Sequence, residues 1–189
     1  MDTKSRALAL GQSYLQTLGY NGFSFQTIAD RLHIKKASLH YYFASKEELG
    51  LALISSYQQD FETWAEGLKS SSGPKKLNSF IEIFLEFSQD KNKICPQGVL
   101  CSDFNTLPPS LQKKLLSFHE NQKAWLQKML QDGIRNGEFR RDLPISATAD
   151  FILSSLQGGV QMARLRKDFS IIKKIGHCLH DFLKIPPPS

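Results

Sequence analysis

Two short helical segments on either side of a three-residue turn, between Ser24 and Leu49, restrict the fold of this chain more than any other feature. Ser24 is an N-cap residue type, and Ile28, Ala29 and Leu32 share one face of the segment Phe25–Leu32 that follows it. His33, Ile34 and Lys35 leave room only for a tight turn before the second segment, Lys36–Tyr42. Ser45 with Glu48 three residues later forms a capping box, which starts a long helix reaching about Leu68. Two short helices across such a turn make a helix-turn-helix unit. Its second helix enters the major groove of DNA, and its first lies across the backbone.

The run His40-Tyr41-Tyr42-Phe43 closes the second segment and divides between core and partner. Leu39 and Phe43, four apart, share a face and belong to the core. Lys36, Ser38, His40 and Tyr41 fall on accessible sides, while Tyr42 fits either role. Lysines and tyrosine hydroxyls suit phosphate contacts, which position the protein, whereas base-edge contacts specify sequence. A neutral His40 offers one donor and one acceptor to bases. Thr27 either donates its hydroxyl to phosphate or stays on the solvent face.

The rest of the chain also reads as helical. Asp2–Leu18 carries Leu8, Leu15 and Leu18 and ends at Gly19 in the manner of a C-cap. KSSSGPKK, residues 69–76, is the clearest break, with Pro74 as the first residue of a helix to about Gln89. A loop is expected over 90–97 and a short helix over 98–106. Longer helices follow over 111–136, over Ser146–Arg166 with Ser146 as cap, and over 170–183. Strand-like alternation and internal repeats are absent. The expectation is an all-α chain with a helix-turn-helix domain over 1–50 and a larger helical domain over 51–189.

The formal charge is +6, and its placement matters more than its size. Up to Lys46, six basic residues (Lys4, Arg6, Arg31, Lys35, Lys36, Lys46) face only Asp2 and Asp30, so most of the excess lies in the first quarter. No apolar run approaches the roughly 20 residues that span a bilayer, and the N-terminus lacks a signal-peptide core. A cytoplasmic location without membrane contact is the expectation. The three cysteines do not suggest a disulfide framework, and neither they nor the pair His177 and His180 make a convincing metal site. No metal and no cofactor are expected. His119-Glu120 and the later histidines lack a third group or a phosphate loop, so an enzyme is not expected.

The stretch GYNGFSFQTIADRLHIKKASLHYYFASKEEL resembles the DNA-binding domain of the TetR family of transcriptional regulators. Gly22-Phe23, Thr27-Ile28-Ala29, Ile34, Leu39, Tyr41 and Phe43 carry the likeness, followed by Lys46, Glu47, Glu48 and Leu49. It covers roughly residues 5 to 55. His33 stands where the family favours glycine, which is tolerable where the backbone is not strictly left-handed. Lys35 replaces a small capping residue, forfeiting about 1 kcal/mol while adding a cation near DNA. The resemblance implies that Tyr41 and Lys46 contact phosphate. The candidate DNA-facing set is Thr27, Lys35, Lys36, Ser38, His40, Tyr41, Tyr42 and Lys46.

The resemblance further implies a homodimer on a double-stranded operator, paired through the last two long helices. Phe151, Leu156, Gly159, Val160, Ala163, Ile172, Ile175 and Leu179 are the interface candidates. Glycine costs a helix about 1 kcal/mol relative to alanine, so Gly158-Gly159 points to close helix approach across the dimer, or else to a kink. An effector cavity among the middle helices is also implied. Phe80, Phe84, Phe87, Phe104, Phe118 and Trp125 either line it or fill a core. Cys95 and Cys101 flank a loop where some relatives sense electrophiles or oxidants, and a helix N-terminus beside Cys101 would lower its pKa. The alternative for both is packing.

The function expected is thus a sequence-specific transcriptional regulator. The family implies a repressor, released from DNA by a small-molecule or thiol-reactive effector. A helical dimeric interaction protein without operator specificity is the alternative. A concentrated positive face around Lys36, Tyr41 and Lys46 separates the first from the second.

Overall fold

The computed structural model describes residues 2–89 and 93–186, and among these the chain is helical with no strand. The helices are α1 (Thr3–Leu18), α2 (Phe25–Leu32), α3 (Lys36–Tyr42), α4 (Lys46–Gly67), α5 (Gly73–Gln89), α6 (Pro96–Ser102), α7 (Pro109–Arg135), α8 (Ile145–Arg166) and α9 (Ser170–Leu183). A 3-10 turn, Phe104–Thr106, joins α6 to α7.

Local chemistry explains most boundaries. The Asp2 side chain accepts from Ser5 N–H at 2.7 Å and caps α1, while Gly19 leaves it with φ 79°. Ser24 and Thr27 form a reciprocal capping box on α2. At α4 the Ser45 hydroxyl accepts from Glu48 N–H at 3.1 Å, but Glu48 reaches back to Ala44 N–H at 2.9 Å, one residue beyond the expected partner. Pro96 sits in the first turn of α6, so that helix begins two residues before the expected Gly98. The expected loop over 90–97 ends before it, and residues 90–92 lie outside the described residues. Ser146 is not the cap of α8: Pro144 is, with no side-chain bond to the free N–H groups.

His33 also departs from the expected geometry. Its backbone is left-handed, φ 56° and ψ 45°, and it closes α2 through its N–H to the Ala29 and Asp30 carbonyls. Glycine alone adopts this conformation without cost. His33→Gly is therefore expected to raise stability by about 1 kcal/mol, read as a higher urea midpoint at unchanged slope.

Packing divides the chain into two compact units, Met1–Glu62 with Lys93–His119 and Thr63–Asn92 with Glu120–Ser189. This differs from a division at residue 50, because α1 packs on α6 as well as on α2 and α3. Ile94 N–H also donates to the Gln16 carbonyl at 3.2 Å. In the first unit Leu15, Phe25, Ile28, Leu39, Phe43, Leu49 and Leu53 form the buried centre. In the second, α5 packs on α8 and α9, and α8 on α9, around Leu77, Phe80, Phe84, Ile152, Leu156, Ile172 and Leu179. Burying each such side chain stabilises by about 1.5–3 kcal/mol.

Candidate functional site

The turn at His33–Lys35 presents α3 with one face inward and the others free. Leu39 and Phe43 are buried, as their spacing predicts. Tyr41 is 84% exposed, an extreme value for an aromatic ring, and it meets the Tyr42 ring edge-on at 5.1 Å. Lys35, Lys36, His40 and Thr27 are exposed, while Ser38 and Tyr42 are half-buried. Arg31 is exposed on the same short stretch, whereas Asp30 accepts from Gln26 Nε2 at 2.7 Å. Lys35 caps α3 without any side-chain bond, as expected of it.

His40 is more constrained than its exposure suggests. Its ring packs 4.9 Å from Phe25, and Nδ1 lies 3.1 Å from the Ala44 carbonyl oxygen. A carbonyl only accepts, so Nδ1 carries the proton and the neutral ring presents Nε2 as an acceptor. The expectation that neutral His40 brings both a donor and an acceptor to base edges is revised to an acceptor alone. Thr27 Oγ1 accepts from Ser24 N–H at 3.3 Å and lies 3.0 Å from Ser24 Oγ. The Thr27 hydroxyl proton has Ser24 Oγ within its reach.

Lys46 is half-buried, with Nζ 4.5 Å above the Tyr20 ring and 4.9 Å above Phe23. Burial lowers its pKa, and Asp103 acts in the opposite direction. The α1–α2 turn is tied to the segment after α6: Tyr20 N–H donates to Asp103 Oδ2 and Asn21 Nδ2 to Thr106 Oγ1, each at 2.7 Å. These partners are more than eighty residues apart, as Tyr20 and Asp103 show with a separation of 83, and no local pattern announces them.

The six aromatic candidates for an effector cavity are divided between the two units. Phe80, Phe84 and Trp125 meet in the second unit with Trp64, at centroid distances of 4.9 to 6.1 Å. Phe80 and Phe84 are buried by their neighbours there. Phe118 belongs to the first unit, edge-on to Phe61 at 6.2 Å. Phe104 is exposed on the 3-10 turn, and Phe87 is half-buried.

Cys95 is the buried N-cap of α6, and Cys101 lies exposed near its other end. The helix N-terminus expected beside Cys101 is therefore at Cys95. Partial burial of the Cys101 sulfur, and then the neighbouring Cys95, push its thiol above the ordinary value. Six helical residues rise about 9 Å, beyond the roughly 7 Å between Cα atoms that a disulfide tolerates, so joining these two cysteines requires unwinding α6. The thiolate is the reactive form, and Cys101 alkylation by iodoacetamide is expected to be slow at neutral pH. Its rate, followed on the Cys101 peptide by mass spectrometry, should still be climbing at pH 9.

The interface candidates on α8 and α9 divide sharply. Leu156, Gly159, Val160, Ala163, Ile172 and Leu179 are buried within the chain and offer nothing to a second copy. Gly159 faces α9: a Cβ there would lie 2.5 Å from Ile175 Cδ1 and 3.0 Å from Ile172 Cδ1. The close approach it permits is thus inside the protomer. Gly158 is the open one, with no atom within 4 Å of an added Cβ. The exposed apolar face consists of Phe151, Met162 and Leu165 on α8 and Phe182 on α9, with Ile175 half-buried between. Met162, Leu165 and Phe182 escaped sequence reasoning because both faces of these helices are apolar.

Among the described residues no helix is long and apolar enough to cross a membrane. Residues 13–53 match the family model described as "Bacterial regulatory proteins, tetR family". Residues 73–176 match the model described as "Tetracyclin repressor-like, C-terminal domain". A TetR transcriptional regulator of Legionella pneumophila is 33% identical, with a TM-score of 0.89 over 97% of this chain and 98% of that one. The reduced form of NemR from Escherichia coli has the same fold, with a TM-score of 0.86 at 19% identity over 98% and 99% of the two chains. The HTH-type transcriptional repressor DhaR of Mycobacterium sp. (strain GP1) is 26% identical over 79% of this chain and 76% of its own.

Proposed function

This chain belongs to the TetR family of transcriptional regulators, and from that premise we propose a division of labour among its residues. It is a DNA-binding regulator. Lys35, Lys36 and Tyr41 contact phosphate, Ser38 and the Nε2 acceptor of His40 read base edges, and Tyr42 supports Tyr41 from behind. Thr27 adds a phosphate contact from α2. Lys46 serves chiefly to hold the unit together. The observation that carries this reading is Tyr41, an aromatic ring 84% exposed beside exposed Lys35 and Lys36 on a helix whose opposite face is core.

The protein acts as a repressor, as DhaR and NemR are by name, and it does so as a homodimer. Its pairing face is the exposed apolar stripe of α8 and α9. A small molecule binding among the middle helices shifts the population from operator-competent to incompetent dimers. Cys101, which reaches the surface, is the residue a thiol-reactive effector would meet. Cys101→Ser should then keep DNA binding intact while abolishing release by N-ethylmaleimide, and unchanged release would refute that role.

Selection of duplexes from a random-sequence pool, followed by fluorescence anisotropy across salt, tests the DNA assignments. Lys36→Ala should weaken binding to every duplex and reduce the salt slope by about 1, whereas Ser38→Ala should relax preference at one base position. If no duplex is enriched and binding is only strongly salt-dependent, the contact is polyelectrolyte in nature, and the helical interaction protein takes its place.

A further inference from the structure

We propose that Asp103 is a positioning residue for DNA recognition, holding the α1–α2 turn and Lys46 in the arrangement from which α3 is presented. The inference rests on the DNA-binding assignment of α3 and goes beyond it, since Asp103 itself lies outside the helix-turn-helix.

The geometry is a double tie. Asp103 Oδ2 accepts from the backbone N–H of Tyr20 at 2.7 Å, a short charge-assisted bond. Beside it, Asn21 Nδ2 donates to Thr106 Oγ1 at 2.7 Å, and that hydroxyl donates to the Asp103 carbonyl at 2.7 Å. Gly19 is built to admit the carboxylate: its φ is 79°, and a Cβ there would stand 2.9 Å from Asp103 Oδ2. The Asp103 charge also favours the ammonium of Lys46, which burial opposes. Lys46 covers Tyr20 and Phe23, and it opens α4 directly after the recognition helix. The same segment is fastened to α7 through Gln112 Nε2 to the Phe104 and Leu107 carbonyls, and α7 is fastened in turn to α4 through Ser110 to the Glu47 carboxylate.

Sequence position gives the tie its consequence. Asp103 is the C-cap of α6, two residues after Cys101, so a displacement of α6 reaches Tyr20 through one side chain. A residue that merely stabilised the fold would change the folded fraction and leave the affinity of folded molecules alone. A positioning residue changes that affinity without touching DNA, so the salt slope stays constant.

The test uses the full chain and the duplex that the wild-type protein selects from a random pool. Asp103→Ala should weaken binding about tenfold per folded molecule, with the salt slope unchanged. Asp103→Asn keeps an acceptor for Tyr20 N–H and should stay within about threefold of wild type. Asn21→Ala, at an exposed position that folding tolerates, should lose about threefold and keeps the idea testable if Asp103→Ala does not fold. Hydrogen exchange at the Tyr20 amide should be slow in wild type and Asp103→Asn, and fast in Asp103→Ala. Affinity of Asp103→Ala within twofold of wild type, or equal loss in the Asn and Ala variants, overturns the proposal. So does an unchanged affinity in Asn21→Ala where Asp103→Ala cannot be purified. If the wild type enriches no duplex, the DNA assignment fails by itself, and slow Tyr20 exchange in Asp103→Ala would then refute the tie separately.

Discussion

Met162→Asp is expected to yield a folded monomer that has lost most of its affinity for the operator. Phe151, Ser155, Gly158, Met162 and Leu165 recur at intervals of four and three along α8, so they share one face. Three of them are large apolar residues exposed by 49, 48 and 74%, and Phe182 of α9 joins them with its ring 5.4 Å from that of Phe151. Covering such residues with a second copy stabilises by about 1.5–3 kcal/mol each. An aspartate in the centre of the covered face removes one of these contributions and adds an unpaired charge, which costs several kcal/mol more. The dimer dissociation constant should therefore rise about a thousandfold or more, since each 1.4 kcal/mol is a factor of ten. Sedimentation equilibrium reads the change directly.

Operator binding should follow. A helix-turn-helix protomer covers one half-site, and tight recognition needs the pair. At protein concentrations below the new dimer constant, anisotropy should show affinity reduced about a hundredfold or more. Because Met162 is exposed within the protomer, the thermal midpoint of the monomer should change little from the mutation itself. A dimer unaffected by Met162→Asp would place the pairing face elsewhere.

The contrast between the two ends of the molecule shows what sequence can convey. The helix-turn-helix was legible because its signals are local: Ser24 with Thr27, Ser45 with Glu48, and the four-residue interval from Leu39 to Phe43 each act within one turn. The proposed pairing face was not legible. Apolar residues line both sides of α8, and periodicity cannot say which side meets α9 and which meets a second copy. Leu156 and Val160 fell to the inside and Met162 and Leu165 to the outside. Long-range polar ties were invisible for a related reason, since Tyr20 and Asp103 stand 83 residues apart and each looks ordinary alone. The aromatic residues of the middle helices shared this ambiguity: Phe80, Phe84 and Trp125 meet one another in the second unit, while Phe118 and Phe104 belong to the first.

Gly22→Ala should destabilise the chain by about 3 kcal/mol and weaken DNA binding at the same time. Gly22 stands in the turn between α1 and α2, immediately before buried Phe23 and the cap Ser24. Its N–H donates to the Gly19 carbonyl at 3.3 Å. A Cβ at this position would meet the Leu18 carbonyl oxygen at 2.3 Å and Leu18 Cβ at 2.7 Å. The nearest obstacle is backbone at the end of a helix, so no side-chain rotation relieves it and the turn itself must open. Opening it moves Phe23 out of its place under Lys46 and strains the Tyr20 and Asn21 bonds to Asp103 and Thr106. For a chain of this size about 3 kcal/mol corresponds to a fall of roughly 10 °C in the thermal midpoint. Gly67→Ala supplies the internal comparison, because an added Cβ there has nothing within 4 Å. That variant should stay within about 0.5 kcal/mol of wild type. Equal midpoints for the two variants would mean that the α1–α2 turn has slack, and the contact of Gly22 with Leu18 would no longer account for a glycine at this position.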